Sequence, residues 1–272
     1  MENDIIYHYT SVDGLKGILS SSGVKLWMTD SRFLNDKEEI THGINLVSLL
    51  IQKYHSNNHH KFSEALSNTD ILAHVLHEIA ERKFYSVSFS SEIEQLSQWL
   101  AYCPAQGGYA IGFNKESLKE HVDAIEGNYC IHNVNYFNDI ESIHKKIYDI
   151  TSNYVSINRD NWTKRDLDIY GLVPDIEQFI ATSKQSCFKT ENEVRVYTSK
   201  LKTQNNYIIE FYNKGSIIVP YTPLEIDKNL IKEVVIGPMH HQDLAEIALE
   251  EFKNINNYNF TILKSKIPYR GY

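Results

Sequence analysis

The residues best able to do chemistry in this 272-residue chain lie in Glu191-Asn192-Glu193-Val194-Arg195. Read as a strand, the stretch places two carboxylates and a guanidinium at alternate positions. Strand side chains repeat with period two, so Glu191, Glu193 and Arg195 are expected on one face, with Val194 and Val196 on the other. Three charged groups beside an apolar face belong either to a polar pocket or to a wet surface. A solvent-facing Glu/Arg ladder is the common form of the second. His8, in His8-Tyr9-Thr10-Ser11, is a titratable ring on what reads as the first strand. Taken alone, a satisfied core or edge histidine is the plainer account of it.

Two further segments carry polar groups. Ser88-Phe89-Ser90-Ser91 leads into a helix bearing Trp99 and Tyr102, where hydroxyl residues read as a helix cap and Trp99 as core. Asn35-Asp36-Lys37-Glu38-Glu39 reads as a helix start, with acids near the positive end of the dipole. A metal centre is not expected. His74 and His77 have i,i+3 spacing without a third ligand, and the pairs His59-His60 and His240-His241 have no carboxylate at ligand spacing. No glycine-rich phosphate loop is expected either, because Gly107-Gly108 precedes a strand rather than a helix.

These residues need elements to position them. Residues 5–9 read as a strand, and Ser11 caps a helix with Leu15, Ile18 and Leu19 on one face, ended by Gly23. A strand follows at 24–28, and helices are expected at 36–53 and 63–82 from apolar residues at helical spacing. The alternation in 84–90 predicts a strand; a short helix with Leu96, Trp99 and Leu100 and a strand at 109–113 come next. Helices are expected at 115–122, 139–155 and 174–184, and strands at 192–198, 206–212, 216–219 and 232–236. A helix at 241–254 and a strand at 259–264 complete an α+β chain, with helices clustered early and strands late.

Composition limits the function classes. With 42% hydrophobic and 23% charged residues, the chain can bury a sizeable core. A net charge of −8 suits a non-specific grip on a nucleic-acid backbone poorly, since that requires phosphate neutralisation. Cys103, Cys130 and Cys187 are odd in number and lack C-x-x-C spacing, so no disulfide framework or zinc knuckle is indicated. The acidic start Met1-Glu2-Asn3-Asp4 does not read as a signal peptide, and apolar runs such as 44–51 are too short to span a bilayer. A cytoplasmic protein without membrane contact is the expectation.

Taken in order, the segments resemble the ADP-ribosyltransferase arrangement in its diphtheria-toxin/PARP-like branch. More closely, the chain resembles a bacterial ADP-ribosyltransferase-like family of uncharacterised proteins. The resemblance is carried by Tyr7-His8-Tyr9-Thr10-Ser11, Phe33-Leu34-Asn35-Asp36 with Glu39, and Ser88-Phe89-Ser90. It continues through Leu96-Ser97-Gln98-Trp99-Leu100-Ala101-Tyr102, Gly108-Tyr109-Ala110-Ile111-Gly112-Phe113, the 191–195 segment, Val235-Ile236-Gly237-Pro238-Met239 and 264–270. It implies one domain over 1–272 with a split β-sheet core and helices packed around it, a helical insertion at about 36–82 and a variable one at about 125–185.

The resemblance also implies an enzyme that takes NAD as substrate and transfers ADP-ribose to a protein or nucleic-acid acceptor, without a metal. Glu193 would stabilise the oxocarbenium-like ribose, and Glu191 would orient the acceptor or act as general base. Arg195 would hold Glu193 ionised or contact a phosphate. His8, with Tyr9 and Thr10, would bind the dinucleotide; Tyr102, or alternatively Trp99, would stack on nicotinamide, and Ser90 would fix the strand end. The family pattern has a tyrosine in the serine-rich strand where this chain has Phe89. The setting implied is a toxin-like effector in bacterial toxin–antitoxin systems or antiviral defence, with a neutralising partner. The alternatives are an inactive nucleotide-binding or protein-interaction module of the same fold, and an NAD glycohydrolase.

Overall fold

A computed structural model describes residues 4–20, 23–34, 39–57, 69–103, 107–137, 140–155, 171–203 and 207–268. Among these residues the chain builds a mixed sheet of 11 strands and a separate pair. The architecture is α+β, as the alternating and helical patterns predict.

The sheet is organised by β4 (Arg82–Ser90), whose alternation puts Ser86, Ser88 and Ser90 on one face and Val87 and Phe89 on the other. Along one edge β4 pairs over its full length with β9 (Glu193–Leu201), from Arg82↔Leu201 to Ser90↔Glu193. β9 in turn pairs with β6 (Cys130–Asn133). The other edge of β4 is shared by two strands. β3 (Gly23–Asp30) meets its first part at Thr29↔Ser86 and Asp30↔Tyr85, and β1 (Ile5–Thr10) meets its end at Tyr7↔Ser90. Between these registers the sheet divides. One branch runs from β3 to β11 (Ile217–Ile226) and β10 (Glu210–Lys214). The other runs from β1 to β5 (Tyr109–Asn114), β12 (Ile231–Ile236) and the parallel β13 (Thr261–Lys264). β2 (Leu19–Ser20) pairs with β3, and β7 (Asn135–Phe137) with β8 (Ser183–Gln185) forms the separate pair.

The apolar face of β3, β4 and β9 presents Leu26, Met28, Val87, Phe89, Val194 and Val196 to the main core. Helices α1 (Val12–Ile18), α5 (Lys115–Asp123) and α8 (Gln242–Ile255) add Leu15, Leu118 and Leu249 to it. Each such side chain contributes about 1.5–3 kcal/mol when fully buried. The opposite face, where β4 and β9 carry Phe84 and Tyr197, is covered by α2 (Glu39–Asn57), α3 (Thr69–Ala80), α6 (Ile140–Val155) and α7 (Leu172–Ala181). The two segments expected as insertions thus pack on each other and share one core. Gly43 permits the close crossing of α2 and α7, because a Cβ there would stand 2.7 Å from the Ile180 backbone. A third cluster of Tyr7, Tyr9, Trp99, Ala110 and Val235 lies under α4 (Leu96–Tyr102).

Ser11 caps α1 as expected, its side chain accepting from Gly14 N. α1 ends at Ile18, short of the Gly23 stop signal. The helix expected at 174–184 ends at Ala181, and the strand expected at 192–198 begins at Glu193. The strands at 130–133, 135–137 and 183–185 have no counterpart in the sequence reading. Asn35-Asp36-Lys37-Glu38 and His59-His60 lie outside the described residues. No helix among the described residues is long and apolar enough to cross a membrane.

Candidate functional site

The divided edge of β4 opens into a cavity of about 640 Å³, within the range of small-molecule sites. His8 and Thr10 of β1, Ser88 of β4, Tyr102 of α4, and Glu191 with Glu193 all contribute to its wall. The opening histidine and the late acidic pair, far apart in sequence, therefore meet around one cleft.

Glu193 is the first residue of β9 and is 4% exposed. Its backbone is held on both sides: its N–H donates to the Tyr136 hydroxyl at 2.9 Å, and its carbonyl accepts from Val134 N at 2.9 Å. Ser88 lies opposite Arg195 in the register, so both side chains reach the face that Glu193 occupies. Ser88 Oγ donates to Glu193 Oε1 at 2.6 Å, and Arg195 Nε donates to the same oxygen at 2.9 Å. Lys184 Nζ donates to Oε2 at 2.9 Å. Burial alone would raise the Glu193 pKa, but Arg195, Lys184 and the Ser88 hydroxyl outweigh it and hold the group at about 2. Glu193 is thus a desolvated, ionised carboxylate at a cavity wall.

Arg195 is 1% exposed and does not line the cavity. Its Nη1 donates to the Ala181 carbonyl at 2.6 Å, at the end of α7. Of the two roles expected of Arg195, its contacts match holding Glu193 ionised, and it has no access to a phosphate in the cavity.

Glu191 reaches the site by a different route from the one expected. It closes a 3-10 turn (Ser186–Glu191) rather than belonging to β9, and Asn192 follows in the left-handed region at φ 43°. That reversal returns the Glu191 carboxylate to Lys184, with Nζ at 2.7 Å from Oε2. Ser90 is 1% exposed and fastens this turn, its Oγ donating to the Glu191 carbonyl at 2.8 Å. Ser90 supports the wall from behind and does not form part of it.

His8 lies edge-on to Phe89, and its Nδ1 is 2.9 Å from the Ser88 carbonyl. A carbonyl only accepts, so Nδ1 carries the proton and Nε2 of the neutral ring is an acceptor. Burial lowers the His8 pKa, against the smaller raising effect of the Ser88 carbonyl. Tyr9 also lines the cavity, with its hydroxyl donating to the Glu92 carbonyl at 2.6 Å. Trp99 is 3% exposed, packs edge-on to Tyr9 at 4.6 Å, and is absent from the wall; Tyr102 is the aromatic of α4 that faces the cavity. Phe89 packs into the main core against Phe113.

The sequence reading names Ser88 only within a cap segment, with no role in the site, and it misses Lys184. Ser88 carries a signal, since its alternation with Ser86 and Ser90 places it on the polar face of β4. Lys184 carries none, because residues 174–184 read as a continuous helix. It is 4% exposed, bridges both carboxylates, and lies 4.9 Å from the Phe188 ring centre. Among the described residues no cluster of three or more His, Cys, Asp or Glu side chains could hold a metal ion.

Residues 98–196 match the model of a family described as "Protein of unknown function (DUF2971)". The matched segment runs from α4 into β9 and contains Tyr102, Lys184, Glu191, Glu193 and Arg195. No curated protein and no solved structure matches the chain.

Proposed function

We propose that the chain is an ADP-ribosyltransferase-like enzyme that cleaves the nicotinamide–ribose bond of NAD and transfers ADP-ribose to an acceptor. One observation carries this reading: an ionised, desolvated Glu193 stands in the same cavity wall as His8 and Tyr102. The divided sheet supports it, because the resemblance implies a split β-sheet core. In the proposed reaction the C1′–N bond breaks and nicotinamide leaves with the bonding pair. Positive charge grows on the ribose, and the fixed negative charge of Glu193 stabilises it without reorganisation. The acceptor then bonds to C1′ and gives up its proton, for which Glu191 is the nearby carboxylate. His8 Nε2 accepts from a ribose hydroxyl, and Tyr102 stacks on the nicotinamide ring. On the same resemblance the enzyme acts as a toxin-like effector with a neutralising partner.

Incubating purified protein with NAD labelled in its ADP-ribose half, together with protein and single-stranded nucleic-acid acceptors, tests the proposal. Label on a macromolecule is the expected result. Free ADP-ribose would assign the site to NAD hydrolysis, and unreacted NAD would reduce it to a binding module.

A further inference from the structure

The cavity is longer than the chemistry around Glu193 requires. Strand registers carry one sheet face from Arg195 through Ser88 and Ser86 to Thr29 and Trp27 of β3, then to Tyr221 of β11. At that far end the face changes character. Trp27 and Tyr212 line the cavity with rings 5.2 Å apart and tilted by 31°, and Tyr221 backs Trp27 at 5.3 Å and 33°. The opposite face of β3 carries Leu26 and Met28, both fully buried in the aliphatic core. Trp27 and Tyr212 are only partly buried, so they form an aromatic wall and not a second core.

The wall is held rigidly. α1 lays Gly17 against the Trp27 indole, and Tyr212 OH is 3.3 Å from Thr29 Oγ1. Lys214 lines the same end with an exposed ammonium, one donor of which meets the Phe33 carbonyl at 3.3 Å. The nearby Glu210 carboxylate accepts from the Tyr221 hydroxyl. A flat aromatic surface with hydroxyl donors and one adjacent cation matches a planar base bearing a phosphate. Lys214 is the cation that the described residues place at this end, and in a chain of net charge −8 that fits one nucleotide better than a continuous phosphate track.

We propose that the Trp27–Tyr212 end of the cavity is a nucleotide subsite, with the base against the aromatic wall and the phosphate toward Lys214. The inference rests on the proposed function for its ligand class and on the wall itself for its geometry. Two sources share this chemistry: the adenosine half of NAD, and an unpaired base of a single-stranded nucleic-acid acceptor.

The test measures equilibrium binding of AMP and of a short single-stranded oligonucleotide, and KM for NAD, in wild type, Tyr212→Ala, Tyr212→Phe and Lys214→Gln. Each variant is checked by its melting curve, and Lys214→Gln alters only an exposed side chain. Loss of a stacked ring lowers affinity by about 10-fold. If Tyr212→Ala weakens AMP and raises KM for NAD by that factor while the oligonucleotide is unaffected, the subsite takes adenosine. If the oligonucleotide is lost and KM for NAD is unchanged, it takes an acceptor base. Tyr212→Phe, which keeps the ring, is expected within twofold of wild type in either case. Unchanged binding of both ligands by folded Tyr212→Ala and Lys214→Gln would overturn the proposal. Base binding without NAD turnover in wild type would leave the subsite standing and remove the transferase reading instead.

Discussion

Arg195 approaches Glu193 through Nε at 2.9 Å and Nη2 at 2.8 Å, and both donors close on the same oxygen, Oε1. The pair is therefore side-on and not a two-oxygen fork. Oε1 also accepts from Ser88 and Oε2 accepts from Lys184; both of these donors line the cavity, whereas Arg195 does not. Arg195 thus holds the carboxylate from its buried side, and Ser88 and Lys184 hold it at the cavity wall.

Replacing Glu193 with Gln keeps the shape and removes the charge. NAD cleavage is expected to fall by at least about 100-fold, the scale on which a preorganised electrostatic group acts. Stability should fall by about 3–5 kcal/mol, because Arg195 and Lys184 remain buried beside a neutral amide. Urea unfolding and NAD turnover read the two effects separately. Glu191→Gln is expected to spare cleavage and reduce transfer; the reverse pattern would exchange the two roles.

Lys184 couples the carboxylates, so its effect depends on both being present. In a double-mutant cycle of Lys184→Met and Glu191→Gln, a coupling energy of about 0.5–3 kcal/mol is expected from unfolding curves, as for residues in direct contact. Simple additivity would mean that the 2.7 Å ion pair contributes nothing to the fold.

The contrast between Glu193 and Lys184 shows what the sequence makes legible. Strand periodicity alone predicts that Glu193 and Arg195 share a face, because the alternation is local. Lys184 is hidden by the helical pattern that precedes it. At the end of that helix Thr182 Oγ1 and Ser183 Oγ donate back to the Gln178 and Phe179 carbonyls, side-chain bonds that weaken a helix and that spacing does not reveal. Glu191 reaches the cavity by a geometry other than the one periodicity predicts, since the reversal at Asn192 leaves no periodic trace. The division of the sheet depends on β4 pairing with strands from both ends of the chain. Side-chain pattern does not encode which strands those are.

Tyr102 and Trp99 are separable by experiment. Tyr102→Ala is expected to raise KM for NAD by about 10-fold, as loss of a partly buried stacking partner at the cavity wall would. Gly237→Ala tests the opposite role for Trp99. A Cβ at Gly237 would stand 2.7 Å from the indole, so the variant should lose about 1–3 kcal/mol of stability while KM holds. A raised KM in Gly237→Ala without destabilisation would place Trp99 in the substrate site.

Glu193, His8 and His132 give the pH dependence of stability the same sign, and Glu177, raised by burial, opposes them. The folded state holds Glu193 at about 2, below the ordinary carboxylate value near 4.3 in the unfolded chain. The unfolded chain therefore binds its proton first. The contribution of Glu193, about 3 kcal/mol, is complete above pH 4.3 and is lost as pH falls toward 2. His8 is also lowered, so its unfolded form takes up a proton near pH 6.5 while the folded ring stays neutral, and stability begins to fall there. His132 is lowered as well, by burial first, and adds to the same early slope. Unfolding free energies from pH 8 to 3 should show an early decline that is shallower in His8→Gln and a later one absent from Glu193→Gln. If both variants keep the wild-type profile, neither group is held in the charge state that the proposed chemistry requires.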